Sequence, residues 1–80
     1  SGQPDWAINI GRFASRFAAE KMLLRTALSE MATLQGTQRK IIIQRSGYDA
    51  NFVGLTREGA DLACRKLQAR SINCLMIGPG

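Results

Sequence analysis

The chain has 80 residues, of which 45% are hydrophobic and 21% charged, and its formal net charge is +5. This length fits one domain with a single core, and the composition is too apolar for a disordered chain. No apolar run approaches the ~20 residues of a membrane-spanning helix. With no histidine and only two cysteines, the chain lacks the ligands of a zinc site. The excess of cations indicates either an anionic partner or a solvated basic surface.

The first half of the chain predicts a strand followed by a helix. Residues 6–13 alternate in polarity, with Ile8 and Ile10 on one face and Asn9 between them on the other. Ser15 is a candidate helix N-cap, and residues 17–31 are good helix formers without Gly or Pro. The sequence Gln35-Gly36-Thr37 ends this helix.

The second half predicts a hairpin, a helix and a last strand. Residues 39–45 have a β-branched centre, Ser46-Gly47 is a two-residue turn, and residues 48–53 alternate at period two. Thr56 caps the second helix, and residues 73–77 form a short strand. The second helix has the apolar stripe Ala60, Ala63, Cys64 and Leu67.

The predicted order is therefore β-α-β-β-α-β, and the two halves repeat one another. Trp6 and Asn9 are echoed 42 positions later by Tyr48 and Asn51. Two such halves form an α+β, ferredoxin-like split β-α-β sandwich, in which two helices cover one face of a four-stranded antiparallel sheet. We expect the domain to span residues 5–78, with a linker or tail at residues 1–4 and a tail at 79–80.

The second sheet face is expected to be open to solvent. Strand alternation places Ile8, Ile10, Tyr48, Ala50 and Phe52 toward the helices. The predicted turn pairs Ile42 with Asn51 and Gln44 with Asp49. The residues expected to point outward are Ala7, Asn9, Gly11, Lys40, Ile42, Gln44, Asp49, Asn51, Leu75 and Ile77.

The first helix has more apolar residues than one sheet contact needs. Ala19, Leu23 and Ala27 form one stripe, and Leu24, Leu28 and Met31 form a neighbouring one. We expect the loop after this helix to cover the second stripe; the alternative is a partner interface.

Two interpretations of the cysteines stay open. Cys64 lies mid-helix and Cys74 begins a strand that runs back beside that helix, so a disulfide is possible, worth roughly 2 to 3 kcal/mol in the chain-entropy model. The other interpretation is two free, buried thiols. The bridge is favoured outside the cytoplasm and the thiols inside it.

The residues favour a binding module over an enzyme. There is no histidine, none of the six acids forms an obvious pair on the open face, and there is no glycine-rich phosphate loop. An RNA-recognition domain has the same strand order but stacks bases on aromatic rings, where this chain has Asn9, Asp49 and Asn51. Amides such as these suit a ligand rich in hydroxyl and acetamido groups, which describes a glycan.

The motifs "WAINIGRFAS" at 6–15, Ala19, "YDANFVGL" at 48–55, "ACRKL" at 63–67 and "CLMI" at 74–77 resemble the SPOR (sporulation-related repeat) domain of bacterial envelope and cell-division proteins. The cysteine-containing motifs are most similar to SPOR domains appended to serine-type D-alanyl-D-alanine carboxypeptidases. The resemblance implies a noncatalytic periplasmic module that binds peptidoglycan glycan strands stripped of stem peptides, on the open face, and targets a longer exported or membrane-anchored parent to the septum.

The resemblance also implies site residues. The strand-one glutamine of the family corresponds to Asn9, the residue beside Gly11 is Arg12, the aromatic that opens strand three is Tyr48, and the strand-four aliphatic is Leu75. Family members often have arginine where this chain has Asp49 and Asn51, and Arg12, Arg39 and Lys40 supply cations at the rim. The expected glycan-binding set is Asn9, Arg12, Lys40, Ile42, Gln44, Tyr48, Asn51 and Leu75. We expect a monomer with no cofactor, nucleic acid or membrane contact; the alternatives are RNA recognition and a protein-interaction module that uses the first helix.

Overall fold

The structure is a computed structural model that describes residues 3–80, so Ser1 and Gly2 of the expected tail lie outside the described residues. Four strands form one sheet in the order β2-β3-β1-β4, and all three neighbouring pairs are antiparallel. The ferredoxin-like fold predicted from the sequence is confirmed, with one additional short helix. The elements are β1 Trp6–Phe13, α1 Arg16–Ser29, α2 Met31–Leu34, β2 Gln38–Gln44, β3 Gly47–Leu55, α3 Arg57–Ala69 and β4 Leu75–Ile77.

Both long helices begin at the predicted caps. The Ser15 hydroxyl accepts a hydrogen bond from the Ala18 N–H at 3.1 Å, and the Thr56 hydroxyl accepts one from the Gly59 N–H at 2.9 Å. α1 ends at Ser29, two residues before the predicted end. The backbone leaves the helical conformation at Glu30, which has φ −136° and ψ 54° and whose N–H makes the last helical hydrogen bond, to the Thr26 carbonyl at 3.1 Å.

The expectation that a loop covers the second stripe of α1 is wrong. After Ser29 the chain turns through α2, which buries Leu34 against the core instead of returning over the outer side of α1. Leu24, Leu28 and Met31 therefore stay exposed to solvent.

A β-bulge in β1 changes which residues face outward. Asn9 pairs with Asn51 and Arg12 pairs with Asp49, so two residues of β1, Ile10 and Gly11, lie opposite one residue of β3. Gly11 has φ +140°, a backbone conformation that favours glycine. The extra residue shifts the alternation by one position. As a result Arg12 lies beside Asp49 on the open face.

The predicted hairpin register is wrong by two residues. Arg45 and Ser46 form the turn, so Ile42 pairs with Asp49 and Lys40 pairs with Asn51. Gly47 lies inside β3 with φ +150°, where a Cβ would come 2.7 Å from the Phe13 carbonyl oxygen. Glycine is needed there for the approach of β1 and not for the turn. Because the error is an even number of residues, the predicted faces of β2 are correct.

The core lies between the sheet and the two long helices. The predicted stripe of α3 is buried in full, and Phe52 is the largest side chain that is fully buried. The core residues are Ile8, Ile10, Ala19, Leu23, Leu34, Ala50, Phe52, Leu55, Ala60, Ala63, Cys64 and Leu67. No helix within residues 3–80 has the length and apolar character needed to cross a membrane.

A disulfide joins α3 to the start of β4. Cys64 and Cys74 are bonded, with their Cα atoms 5.1 Å apart, and the Gln68 side-chain amide donates to the Cys74 carbonyl at 3.1 Å. Of the two interpretations that the sequence left open, the structure therefore has the bridge. Since the backbone at Cys74 is directed toward α3, pairing with β1 begins at Leu75, two residues later than predicted.

Candidate ligand-binding face

The open face is the side of the sheet that no helix covers. Antiparallel pairing aligns its outward residues in rows that cross the strands in the order β2, β3, β1, β4. The central row is Lys40, Asn51, Asn9 and Leu75; the rows on either side are Ile42, Asp49 and Arg12, and Gln38, Val53, Ala7 and Ile77.

The two asparagines at the centre of the open face bind each other. The Asn9 Nδ2 group donates to Asn51 Oδ1 at 2.7 Å, and the Gly11 N–H donates to Asn9 Oδ1 at 3.1 Å. Asn9 thus closes the bulge with one end of its amide and holds Asn51 with the other. Asn51 is 8% exposed. Within residues 3–80 no acceptor bonds the Asn51 Nδ2 group, so this donor is available to a ligand.

Arg12 and Asp49 form the polar pair of the next row. The Arg12 Nε donates to Asp49 Oδ1 at 2.6 Å, Nη2 donates to Oδ2 at 3.1 Å, and Nη1 donates to the Ser46 hydroxyl at 2.6 Å. These hydrogen bonds hold the pKa of Asp49 below its ordinary value and raise the pKa of Arg12. Asp49 therefore stays ionised near neutral pH, and its charge is balanced by Arg12.

Lys40 extends the positive character of the open face. Its side chain is exposed, and no salt bridge among residues 3–80 involves it. Lys40 lies directly beside Asn51 in the central row. A carboxylate on a ligand that contacts Asn51 would therefore find a cation within reach.

The β4 edge of the open face is aliphatic. Leu75 is 67% exposed and Ile77 is 39% exposed. Leu75 pairs directly with Asn9, so an apolar surface adjoins the amide centre. This combination suits a ligand with both apolar C–H surfaces and polar groups.

The structure brings seven of the eight predicted site residues to the open face, the exception being Tyr48. Gln44 ends β2 close to Asp49. Tyr48 packs against the core from the helix side, in keeping with the predicted parity of its strand. Ser46, which anchors Arg12, was not among the predicted residues. The side chains of Ser46 and Arg12 come together only because of the β1 bulge. Strand alternation in the sequence does not predict this bulge.

The side chains of the open face differ from those of a base-stacking surface. Among residues 3–80 the aromatic rings all lie elsewhere: Trp6, Phe13 and Tyr48 pack against the core, Phe52 is part of it and Phe17 lies on α1. The rows of the open face contain one carboxylate, Asp49, which Arg12 already binds. The described chain also has no cluster of three His, Cys, Asp or Glu side chains that could hold a metal ion.

The fold is similar to that of a solved bacterial domain. No protein-family model and no curated protein matches the chain. The solution structure of the peptidoglycan-binding domain of the B. subtilis cell wall lytic enzyme CwlC has a TM-score of 0.71 to this chain, with 14% sequence identity. The match covers 100% of this chain and 92% of the CwlC domain. At this identity the likeness shows a shared fold.

Proposed function

We propose that this domain is a noncatalytic peptidoglycan-binding module that recognises glycan strands on its open face. The observation that carries the proposal is the central row, in which the cation of Lys40, the amide donor of Asn51 and the exposed side chain of Leu75 lie in line on a surface that no helix covers. The shared fold with the CwlC peptidoglycan-binding domain supports it.

Each part of the row has a counterpart in a glycan strand. The C–H faces of sugar rings are apolar and suit Leu75 and Ile77. Hydroxyl and acetamido oxygens can accept from Asn51 Nδ2. A strand stripped of its stem peptides keeps lactyl carboxylates, which Lys40 can bind. The ion pair with Arg12 removes the repulsion that an unpaired Asp49 would exert on these carboxylates.

The proposal also covers the cellular location of the domain and the protein that contains it. The resemblance to SPOR domains supports a preference for denuded septal glycan, and a parent of the serine-type carboxypeptidase class that the domain targets to the division site. The Cys64–Cys74 bridge is compatible with the periplasm, since disulfides persist in oxidising compartments.

A sedimentation assay with purified sacculi tests the proposal. We expect the domain to pellet with sacculi, and to do so more strongly after an amidase has removed the stem peptides. Lys40→Gln and Leu75→Ser should each weaken binding roughly fivefold, since each removes a contact worth about 1 kcal/mol.

Matched controls lie on α3, away from the open face. Lys66→Gln and Leu62→Ser change exposed residues of the same types and should leave binding unchanged. Absence of binding to both sacculus preparations would contradict the proposal. Equal binding by all four variants would place the site on another surface.

A further inference from the structure

The outer side of α1 is apolar although it faces solvent. Phe17 is 74% exposed, Leu24 49% and Leu28 71%, and Met31, just beyond the helix, is 65% exposed. With Lys21, these residues follow the spacing 4-3-4-3 along the chain, which is the a/d spacing of a helix that packs on another helix. We call these five residues the α1 seam.

The α1 seam lies opposite the side of the helix that the core uses. Ala19, Leu23 and Thr26 are the buried residues of α1, and at 100° per residue they point about half a turn away from Phe17, Leu24 and Leu28. The fold therefore does not need the seam. Adjacent exposed apolar side chains of this kind mark an interaction surface, whereas a single one, such as Leu62 on α3, does not.

Two hollows lie beside α1, the first between α1 and β2 and the second between α1 and α2. The first is lined by Arg16, Glu20, Leu23, Leu24, Arg39 and Ile41, and the second by Ala27, Met31, Ala32, Leu34 and Gln35. Leu24 and Met31 belong to both the seam and the hollows. Together these features extend over the length of α1, about 21 Å for its 14 residues. A second helix of similar length could lie along them.

The charges around the seam indicate which kind of helix could bind there. Arg16, Lys21, Arg25 and Arg39 surround it, and the nearby acid, Glu20, already lies 3.9 Å from Arg16. A second copy of this chain would place Lys21 and Arg25 against the same cations, which is unfavourable. A lipid surface could contact the apolar crest but would not fill the hollows, and Lys21 would lie in the middle of the contact.

We propose that the α1 seam binds an amphipathic helix with acidic flanks from a partner protein. Its apolar side would cover Phe17, Leu24 and Leu28. One carboxylate would lie opposite Lys21, and others would face Arg25 and Arg39. This inference does not depend on the open face, which lies on the other side of the sheet.

Fluorescence anisotropy with a designed probe tests the proposal. The probe is a labelled 21-residue helical peptide with Glu at positions e and g and Leu at a and d, except for one central Glu placed opposite Lys21. It is used below the concentration at which it associates with itself. We expect binding that falls at least tenfold in the double variant Leu24→Gln/Leu28→Gln and in Lys21→Glu. A peptide with Lys in place of every Glu should bind at least tenfold more weakly than the acidic one.

The controls separate this surface from the rest of the molecule. Leu62→Gln on α3 should bind the probe like the unchanged protein. The seam variants change exposed side chains and should keep the unfolding midpoint and the binding to sacculi. Equal affinity for the acidic and basic peptides would overturn the proposal. Two other results would also overturn the proposal if the probe failed to bind. One is co-sedimentation with phosphatidylglycerol vesicles that is lost in Leu24→Gln/Leu28→Gln, and the other is a dimer, seen by light scattering, that is lost in the same variant.

Discussion

Asn9 is a structural residue of the open face as well as a neighbour of any ligand there. Its side chain closes the β1 bulge through the Gly11 N–H and satisfies the oxygen of Asn51, which is buried. Asn9→Ala therefore leaves a buried acceptor without its donor, and we expect the free energy of unfolding to fall by about 1 to 3 kcal/mol. Loss of glycan binding in this variant would not by itself show a contact.

A double-mutant cycle on Asn9 and Asn51 measures this interaction. Urea unfolding of Asn9→Ala, Asn51→Ala and the double variant should give a coupling of roughly 0.5 to 3 kcal/mol, because the two amides share one hydrogen bond. Additive losses of stability would mean that the asparagines act independently.

At these residues the sequence predicts position better than interaction. Period-two alternation and the 42-residue repeat correctly predict that Asn9 and Asn51 share the open face. The Arg12–Asp49 ion pair depends on the bulge at Gly11. Glycine permits such a bulge but also occurs without one, so strand alternation cannot predict it.

At the level of secondary structure, β4 is held by the disulfide as well as by its pairing with β1. It has three residues, two of which form the aliphatic edge of the open face, and Cys74 fastens it to α3. The bridge closes a short loop, with a sequence separation of 10. Reduction should therefore lower the free energy of unfolding by roughly 2 to 3 kcal/mol.

Denaturation with and without a thiol reductant measures this effect. The variant Cys64→Ser/Cys74→Ser should match the reduced protein in stability and should not respond to the reductant. We also expect weaker binding to sacculi after reduction, since Leu75 loses its support. Equal stability of the oxidised and reduced proteins would show that β4 is held without the bridge.

Element type was predictable from the sequence, whereas some element ends were not. Helix caps act locally, so Ser15 and Thr56 were identified correctly. The hairpin register was predicted wrongly, because Gly47 is needed for the close approach of Phe13, which is distant in sequence, and not for the turn. α1 ends early because the backbone of Glu30 is not helical, with φ −136° and ψ 54°. Helix propensity does not predict this break, since glutamate is a good helix former.

At the scale of the whole molecule, two surfaces are separated by the core. The open face combines cations, amides and aliphatic side chains, and the α1 seam on the opposite side combines apolar side chains with cations. One domain can therefore contact a polymer with its sheet and a partner helix with α1 at the same time. The net charge of +5 is compatible with the anionic groups on the two ligands that we propose. Composition alone left an anionic partner and a solvated basic surface both open, and it could not distribute the charge between two surfaces.

An NMR titration measures glycan recognition on the open face residue by residue. Unlabelled denuded glycan strands would be added to ¹⁵N-labelled protein, and the backbone and side-chain amide shifts followed. We predict the largest changes at Lys40, Asn51, Asn9 and Leu75, including the Asn51 side-chain amide, with little change along α1 and α3. Shift changes concentrated on the helices, or no changes at all, would rule out glycan recognition on the open face.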